Sequence, residues 1–141
     1  MIQLGSAEIG QAEEISGLLH QLGYAVDRAT VASRLERQSK LPTTHVLVAT
    51  NEGRVVGLAT LVIIPTLHRP GDVCRITAFV VDSNERRSGV GRQLIDGIEA
   101  YAREHGCFRV EVTSAGARAD AHAFYAALGY QELPKRFIKD L

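Results

Sequence analysis

The sequence predicts an α/β fold of the mixed α+β kind. A central, largely antiparallel sheet of about six or seven strands should carry about four helices on its two faces. Three observations point there. Two stretches of helical spacing come first, a hairpin pattern follows, and strand-helix-strand patterning fills the second half. With 141 residues, 45% of them hydrophobic, the chain is long enough to bury one core, so residues 1–141 are read as a single domain.

Ile2 to Leu4 is the first strand. Ala12, Ile15, Leu18, Leu19 and Leu22 follow helical spacing, and Gly23 closes that helix. Asp27 or Thr30 caps a second helix through Val31 and Leu35, which ends before Pro42. His45 to Ala49 and Val55 to Ile64 are strands joined at Asn51-Glu52-Gly53-Arg54, where the glycine supplies a positive φ. Pro65 to Asp72 is a loop, and Val73 to Val81 is the next strand.

A helix from about Gly89 to His105 carries Val90, Leu94, Ile98 and Ala102 on one face, with Gly106 at its C-terminal cap. From Phe108 to Thr113 the chain alternates, with Phe108, Val110 and Val112 inward and Arg109, Glu111 and Thr113 outward. Ser114 to Arg118 is a loop, and Ala121 to Leu128 is a short helix closed by Gly129. Tyr130 to Leu133 and Arg136 to Ile138 read as two last strands around Pro134.

Composition narrows the function classes. Sixteen basic residues balance 16 acidic ones, so no global field favours nucleic acid or a membrane surface. The longest apolar run, Val55 to Pro65, is broken by Gly57 and Thr60 and is too short to span a bilayer. The N-terminus has neither a basic n-region nor an apolar h-region, so no signal peptide is expected. Cys74 and Cys107 form no Cys-x-x-Cys pair and read as buried, reduced thiols in a cytoplasmic protein. No residues show metal-ligand spacing, and no metal is expected.

The chemistry concentrates in Phe79 to Ile95. An apolar run ends at a polar turn, passes through Arg-x-x-Gly-x-Gly, and becomes an amphipathic helix. Gly89 and Gly91 let the backbone approach an anion. The first-turn amides lack intrahelical partners, and the helix dipole adds positive potential, so a phosphate or pyrophosphate is the natural guest. Arg86, Arg87 and Arg92 add full charges. A Walker-A loop is excluded, because Arg92-Gln93 stand where Lys-Ser/Thr would be. A dinucleotide fingerprint lacks its third glycine, since Leu94 occupies that place, although Glu111 stands where a ribose-binding acid could. Nucleotide binding stays a remote alternative.

The second motif is Ala121-His122-Ala123-Phe124-Tyr125-Ala126-Ala127-Leu128-Gly129-Tyr130. Together, in this order and spacing, the two motifs resemble the GNAT superfamily of acetyl-CoA-dependent N-acetyltransferases, over nearly the whole chain. The resemblance implies attack of a primary amine, on a small molecule or peptide, at the thioester of acetyl-CoA. The cofactor-binding residues would be Phe79, Val80 and Val81, whose backbone pairs with the pantetheine arm, and Arg86, Arg87, Ser88, Gly89, Val90, Gly91 and Arg92 around the pyrophosphate. Tyr125 would be catalytic, donating a proton to the departing thiolate. Spacing alone leaves Tyr125 open between that role and a packed aromatic, lying about 100° round the helix from a core-facing Phe124.

Two departures stand out. Arg118 occupies the place of a common cofactor-contacting asparagine, where its guanidinium can reach a CoA phosphate. Thr77 occupies the place of a common glutamate base, which leaves Glu111, Asp72, His68 and His122 as candidates. These departures keep a second hypothesis open, a non-catalytic acyl-CoA sensor. The acceptor should lie opposite the cofactor, against Leu18 to Arg34, where His20, Tyr24, Asp27 and Arg28 suit neither a strongly cationic nor a strongly anionic molecule. Leu-Leu-His-Gln-Leu-Gly-Tyr and Arg-Ala-Asp-Ala-His-Ala-Phe-Tyr look similar to a broad subgroup that includes aminoglycoside-acetyltransferase-like proteins. Edge strands at the C-terminus suit a homodimer.

Overall fold

The computed structural model describes residues 1–85, 88–113, 119–133 and 136–141. Its elements are β1 (Ile2–Ser6), α1 (Ala12–Leu22), α2 (Arg28–Ser39), β2 (Thr44–Asn51), β3 (Arg54–Ile64), β4 (Asp72–Val81), α3 (Val90–Glu104), β5 (Cys107–Val112) and α4 (Ala119–Ala127), with short 3-10 turns at Ile9–Gln11 and Ser83–Glu85. The strands lie in the order β1-β2-β3-β4-β5. All neighbours are antiparallel except β4 and β5, which run parallel across the α3 crossover.

Local chemistry sets the element ends. Asp27 is the N-cap of α2, its carboxylate accepting the Thr30 N–H at 2.8 Å. Glu52 and Gly53 both take positive φ, 52° and 81°, which is the two-residue hairpin turn between β2 and β3. Gly23 and Gly106 follow the last turns of α1 and α3 with left-handed backbones.

The sheet separates two apolar layers. On one face Ile15, Leu18, Val31 and Leu35 from α1 and α2 pack on Val48, Val55, Leu58 and Val80. On the other, Val90, Leu94, Ile95, Ile98 and Ala102 of α3 pack on Leu47, Val56, Ala59, Leu61, Cys74 and Ile76. At full burial each such aliphatic side chain contributes about 1.5–3 kcal/mol.

The helix comes close to the sheet at Gly57. A Cβ there would stand 2.9 Å from Leu94 Cδ1 and 3.0 Å from Val90 Cγ1. Gly57→Ala is therefore expected to destabilise the protein by about 1–3 kcal/mol through overpacking, read as a lowered urea midpoint at unchanged m-value. An unshifted midpoint would show that α3 can retreat freely.

Three expectations need correcting. The sheet has five strands, not six or seven, because 130–133 and 136–138 pair with nothing among the described residues; Pro134 lies outside those residues. A strand exists through its neighbour, and here Leu133, Phe137 and Ile138 stay 76%, 94% and 75% exposed. The inward set of β5 also changes. Asp72 pairs with Cys107 but Val73 with Arg109, so Phe108 is an extra residue at a bulge. Phe108 is turned outward, while Cys107 joins Val110 and Val112 against the core. Both thiols are free as expected, but Cys107 is only partly buried.

Candidate functional site

The site is made by a strand that loses one neighbour halfway along. Thr60 pairs with Ala78 and Leu61 with Ile76, so Thr77 is an unpaired bulge residue in β4. On the other side, the β4–β5 ladder ends at Ile76 and Val112. From Ala78 to Val81, β4 is paired only with β3 among the described residues, and a gap opens where β5 would continue.

The ladder tells which groups face that gap. Asp82 N–H donates to the Val56 carbonyl at 2.8 Å. By the two-residue period of antiparallel pairing, Val80 also turns its N–H and C=O to β3. The peptide groups of Phe79 and Val81 point into the gap, an open strand edge able to accept an extended ligand. The expectation for Phe79 to Val81 thus narrows to Phe79 and Val81 for backbone contacts, with the buried Val80 side chain serving the α1–α2 core.

A braced turn aims the next element at the same gap. Arg54 holds Glu85 at 2.8 Å and Asp82 at 3.4 Å, Asp82 accepts the Asn84 N–H at 3.0 Å, and the Ser83 N–H reaches Gln21 at 2.9 Å. The Ser88 hydroxyl donates to the Glu85 carbonyl. Gly89 then caps α3 with φ 86° and ψ 5°, a left-handed backbone that glycine adopts without strain, and among the described residues no side chain caps the helix. The first capping bond is Gln93 N–H to the Gly89 carbonyl at 3.0 Å, so the amides of Val90, Gly91 and Arg92 precede it.

A Cβ on Gly89 would meet nothing within 4 Å, whereas one on Gly91 would stand 3.1 Å from the Phe124 ring and 3.7 Å from Val81. Gly91 is thus what lets α3, α4 and the end of β4 converge. Arg92 is exposed at that helix start. Arg86, Arg87 and Arg118, expected to contact phosphates, lie outside the described residues.

Tyr125 stands at the junction. Phe124 was expected to face the core with Tyr125 turned elsewhere; in fact both rings pack against it. Tyr125 lies 6.1 Å from Phe79, 5.2 Å from Phe124 and 5.8 Å from Tyr130, centroid to centroid. The residue is half-buried and next to the gap-facing strand, and it also borders a cavity of about 1040 Å³ between β5 and the segment after α4. Tyr130, which sequence reasoning left without a role, donates to Glu99 Oε2 at 3.0 Å, and burial, then that carboxylate, pushes its phenol well above the usual range.

Of the candidate bases, Glu111 is engaged by Arg75 at 2.8 Å and Arg109 at 3.8 Å. His68 lies in the exposed loop, accepting from Arg69 at 3.3 Å, and Asp72 starts β4 at its far end. His122 shares with Tyr125 the cavity beside α4. Thr77 is bound to Thr60, their hydroxyl oxygens 2.5 Å apart and the Thr77 hydroxyl 3.2 Å from the Thr60 carbonyl. Thr60 was not singled out from sequence, because only the bulged register brings the two threonines together. Among the described residues no group of His, Cys, Asp and Glu could hold a metal ion, and no helix is long and apolar enough to cross a membrane.

Known proteins share this fold. Residues 15–130 match the model of the Acetyltransferase (GNAT) family. An aminoalkylphosphonate N-acetyltransferase of Salmonella typhimurium is 34% identical over 124 residues, 88% of this chain and 78% of its own length. A glucosamine 6-phosphate N-acetyltransferase of Trypanosoma brucei brucei is 29% identical over 93% of this chain and 92% of its own. An aminoglycoside N-acetyltransferase, AAC(6')-Iy, solved in complex with CoA, superposes with a TM-score of 0.87 at 17% identity, covering 100% of this chain and 95% of that one.

Proposed function

The chain belongs to the GNAT acetyltransferase family and is an acyl-CoA-dependent N-acetyltransferase, and from that premise we propose that acetyl-CoA is its donor and a primary amine of a small molecule its acceptor. Transfer is direct, within a ternary complex. The observation that carries the reading is the gap beside Phe79 and Val81, bounded by the N-terminus of α3 and by Tyr125.

In this reading the peptide groups of Phe79 and Val81 pair with the amides of the pantetheine arm as an added strand would. The amides of Ser88 to Arg92 receive the pyrophosphate, with charge from Arg86, Arg87, Arg92 and Arg118. The Tyr125 hydroxyl gives its proton to the thiolate sulfur as the carbon–sulfur bond breaks and the amide bond forms, and the proton that the amine nitrogen loses passes through water to restore the phenol. Residues 1–141 act as one domain, cytoplasmic with both thiols reduced. Homodimers form through the outer edge of β5, which sedimentation equilibrium can test.

Thr77 carries no charge to accept a proton, and Glu111 is engaged by two arginines. With Thr77 and Glu111 set aside, this reading has the amine enter as the free base, and His122, which shares the cavity beside Tyr125, is the base that the alternative would use. With acetyl-CoA saturating, thiol release at subsaturating amine should rise about tenfold per pH unit from pH 6 towards the amine's own pKa, near 10 for an alkylamine. A plateau above a pKa of about 6–7 would instead reveal a histidine or carboxylate base. Release that is amine-dependent and yields an acetylated product by mass spectrometry supports the reading; CoA binding without release from any amine panel contradicts it.

A further inference from the structure

We infer that the acceptor carries an oxyanion group as well as its amine, and that Arg34 and Arg37 of α2 bind it. The inference rests on the acetyl-transfer reading and deepens it. A cavity of about 620 Å³ opens on the α2 side of the sheet, lined by Arg34, Arg37 and Gln38, by Thr44, and by Thr60 and Thr77. That volume suits a small metabolite.

Its place matters more than its size. Thr77 is both a wall of the cavity and the bulge residue at which the β4–β5 gap begins. A molecule in the cavity can thus present an amine at the point reached by an acyl group lying along Phe79 and Val81.

Its charge is one-sided. Arg34 and Arg37 are one turn apart on α2, so their side chains share a face. Like charges at this spacing repel, and among the described residues no acid lines the cavity. Among the described residues neither guanidinium has a carboxylate within 4.0 Å; Glu36 faces Lys40 at 3.9 Å, and Asp27 caps α2 through Thr30 while feeling Arg34 only at long range. Two planar guanidinium forks without a protein counter-ion match a phosphonate, phosphate or carboxylate. The expectation of a charge-neutral acceptor face came from His20, Tyr24, Asp27 and Arg28; the cavity is lined instead by Arg34, at the end of that stretch, and by Arg37 beyond it.

The test compares 2-aminoethylphosphonate, β-alanine and propylamine as acceptors in acetyl-CoA thiol release, for the parent and for R34Q/R37Q. Both anionic amines should exceed propylamine at least about tenfold in kcat/KM, since charge-assisted contacts are worth that much. In the double variant that ratio should fall towards one, chiefly through KM, with the KM for acetyl-CoA unchanged. The phosphonate and β-alanine arms separate a phosphorus oxyanion from a carboxylate. Propylamine matching both anions in the parent, or a ratio that survives in the folded variant, overturns the inference. Calorimetric binding of 2-aminoethylphosphonate to the CoA complex keeps the two readings distinct. If no amine turns over, the acetyl-transfer reading fails, while affinity lost in the variant still upholds the arginine site and equal affinity refutes it.

Discussion

Tyr125→Phe should lower kcat by about 10²- to 10⁴-fold while leaving the KM for acetyl-CoA nearly unchanged. The substitution keeps the ring in its cluster with Phe79, Phe124 and Tyr130 and removes only the oxygen. A phenol, ordinarily near pKa 10, is a weaker acid than a thiol near 8.5, so the transfer is uphill by about 1.5 pKa units and its contribution depends on alignment, which three neighbouring rings supply. A merely structural hydroxyl would behave differently. Its loss would cost about 1–3 kcal/mol of stability, visible in the melting temperature, with turnover intact. A kcat reduced less than about tenfold in a folded, CoA-binding mutant removes Tyr125 from the chemistry and strengthens the non-catalytic sensor reading.

The second large effect is expected at the start of α3. Saturating CoA, at a hundredfold over Kd, should stabilise the parent by about 2.7 kcal/mol. Gly91→Val should abolish that stabilisation, but it also presses on the Phe124 ring, 3.1 Å from the new Cβ position. Gly89→Asn separates the two causes. Asparagine tolerates the left-handed backbone at φ 86°, and its side chain enters open space beside the first-turn amides. Both variants should lose CoA stabilisation, Gly89→Asn while keeping the unliganded melting temperature close to that of the parent. Full stabilisation of a folded Gly89→Asn protein would show that the pyrophosphate sits elsewhere.

What the sequence revealed was what local chemistry decides. The Glu52-Gly53 turn and the apolar stripe of α3 are written within a few residues each and stand where the pattern put them, and of the two caps it offered for α2, Asp27 and Thr30, the structure uses Asp27. The glycines of the α3 loop and the Tyr125 helix were legible as motifs for the same reason. Register was not. Thr77 is a bulge because of how β3 and β4 slide past one another, and Phe108 leaves the core because of a slip between β4 and β5. A period of two predicts inward and outward faces only while pairing is regular. The last two strands find no partner among the described residues, although Leu133, Phe137 and Ile138 are apolar enough. Arg37 escaped notice because the face of α2 that overlooks the bulge is set by how Val31 and Leu35 dock, not by the charges themselves.

The central claim is that the donor lies in the β4–β5 gap, paired to one side of β4 and capped by α3. Amide hydrogen exchange, followed residue by residue with and without saturating CoA, tests it most directly. The Val80 amide, already turned to β3, serves as an internal reference. CoA should slow exchange at Phe79, Val81, Val90, Gly91 and Arg92 well beyond any slowing at Val80. Tight CoA binding that slows Val80 as much as Phe79 and Val81, and leaves the first turn of α3 unprotected, would contradict the account.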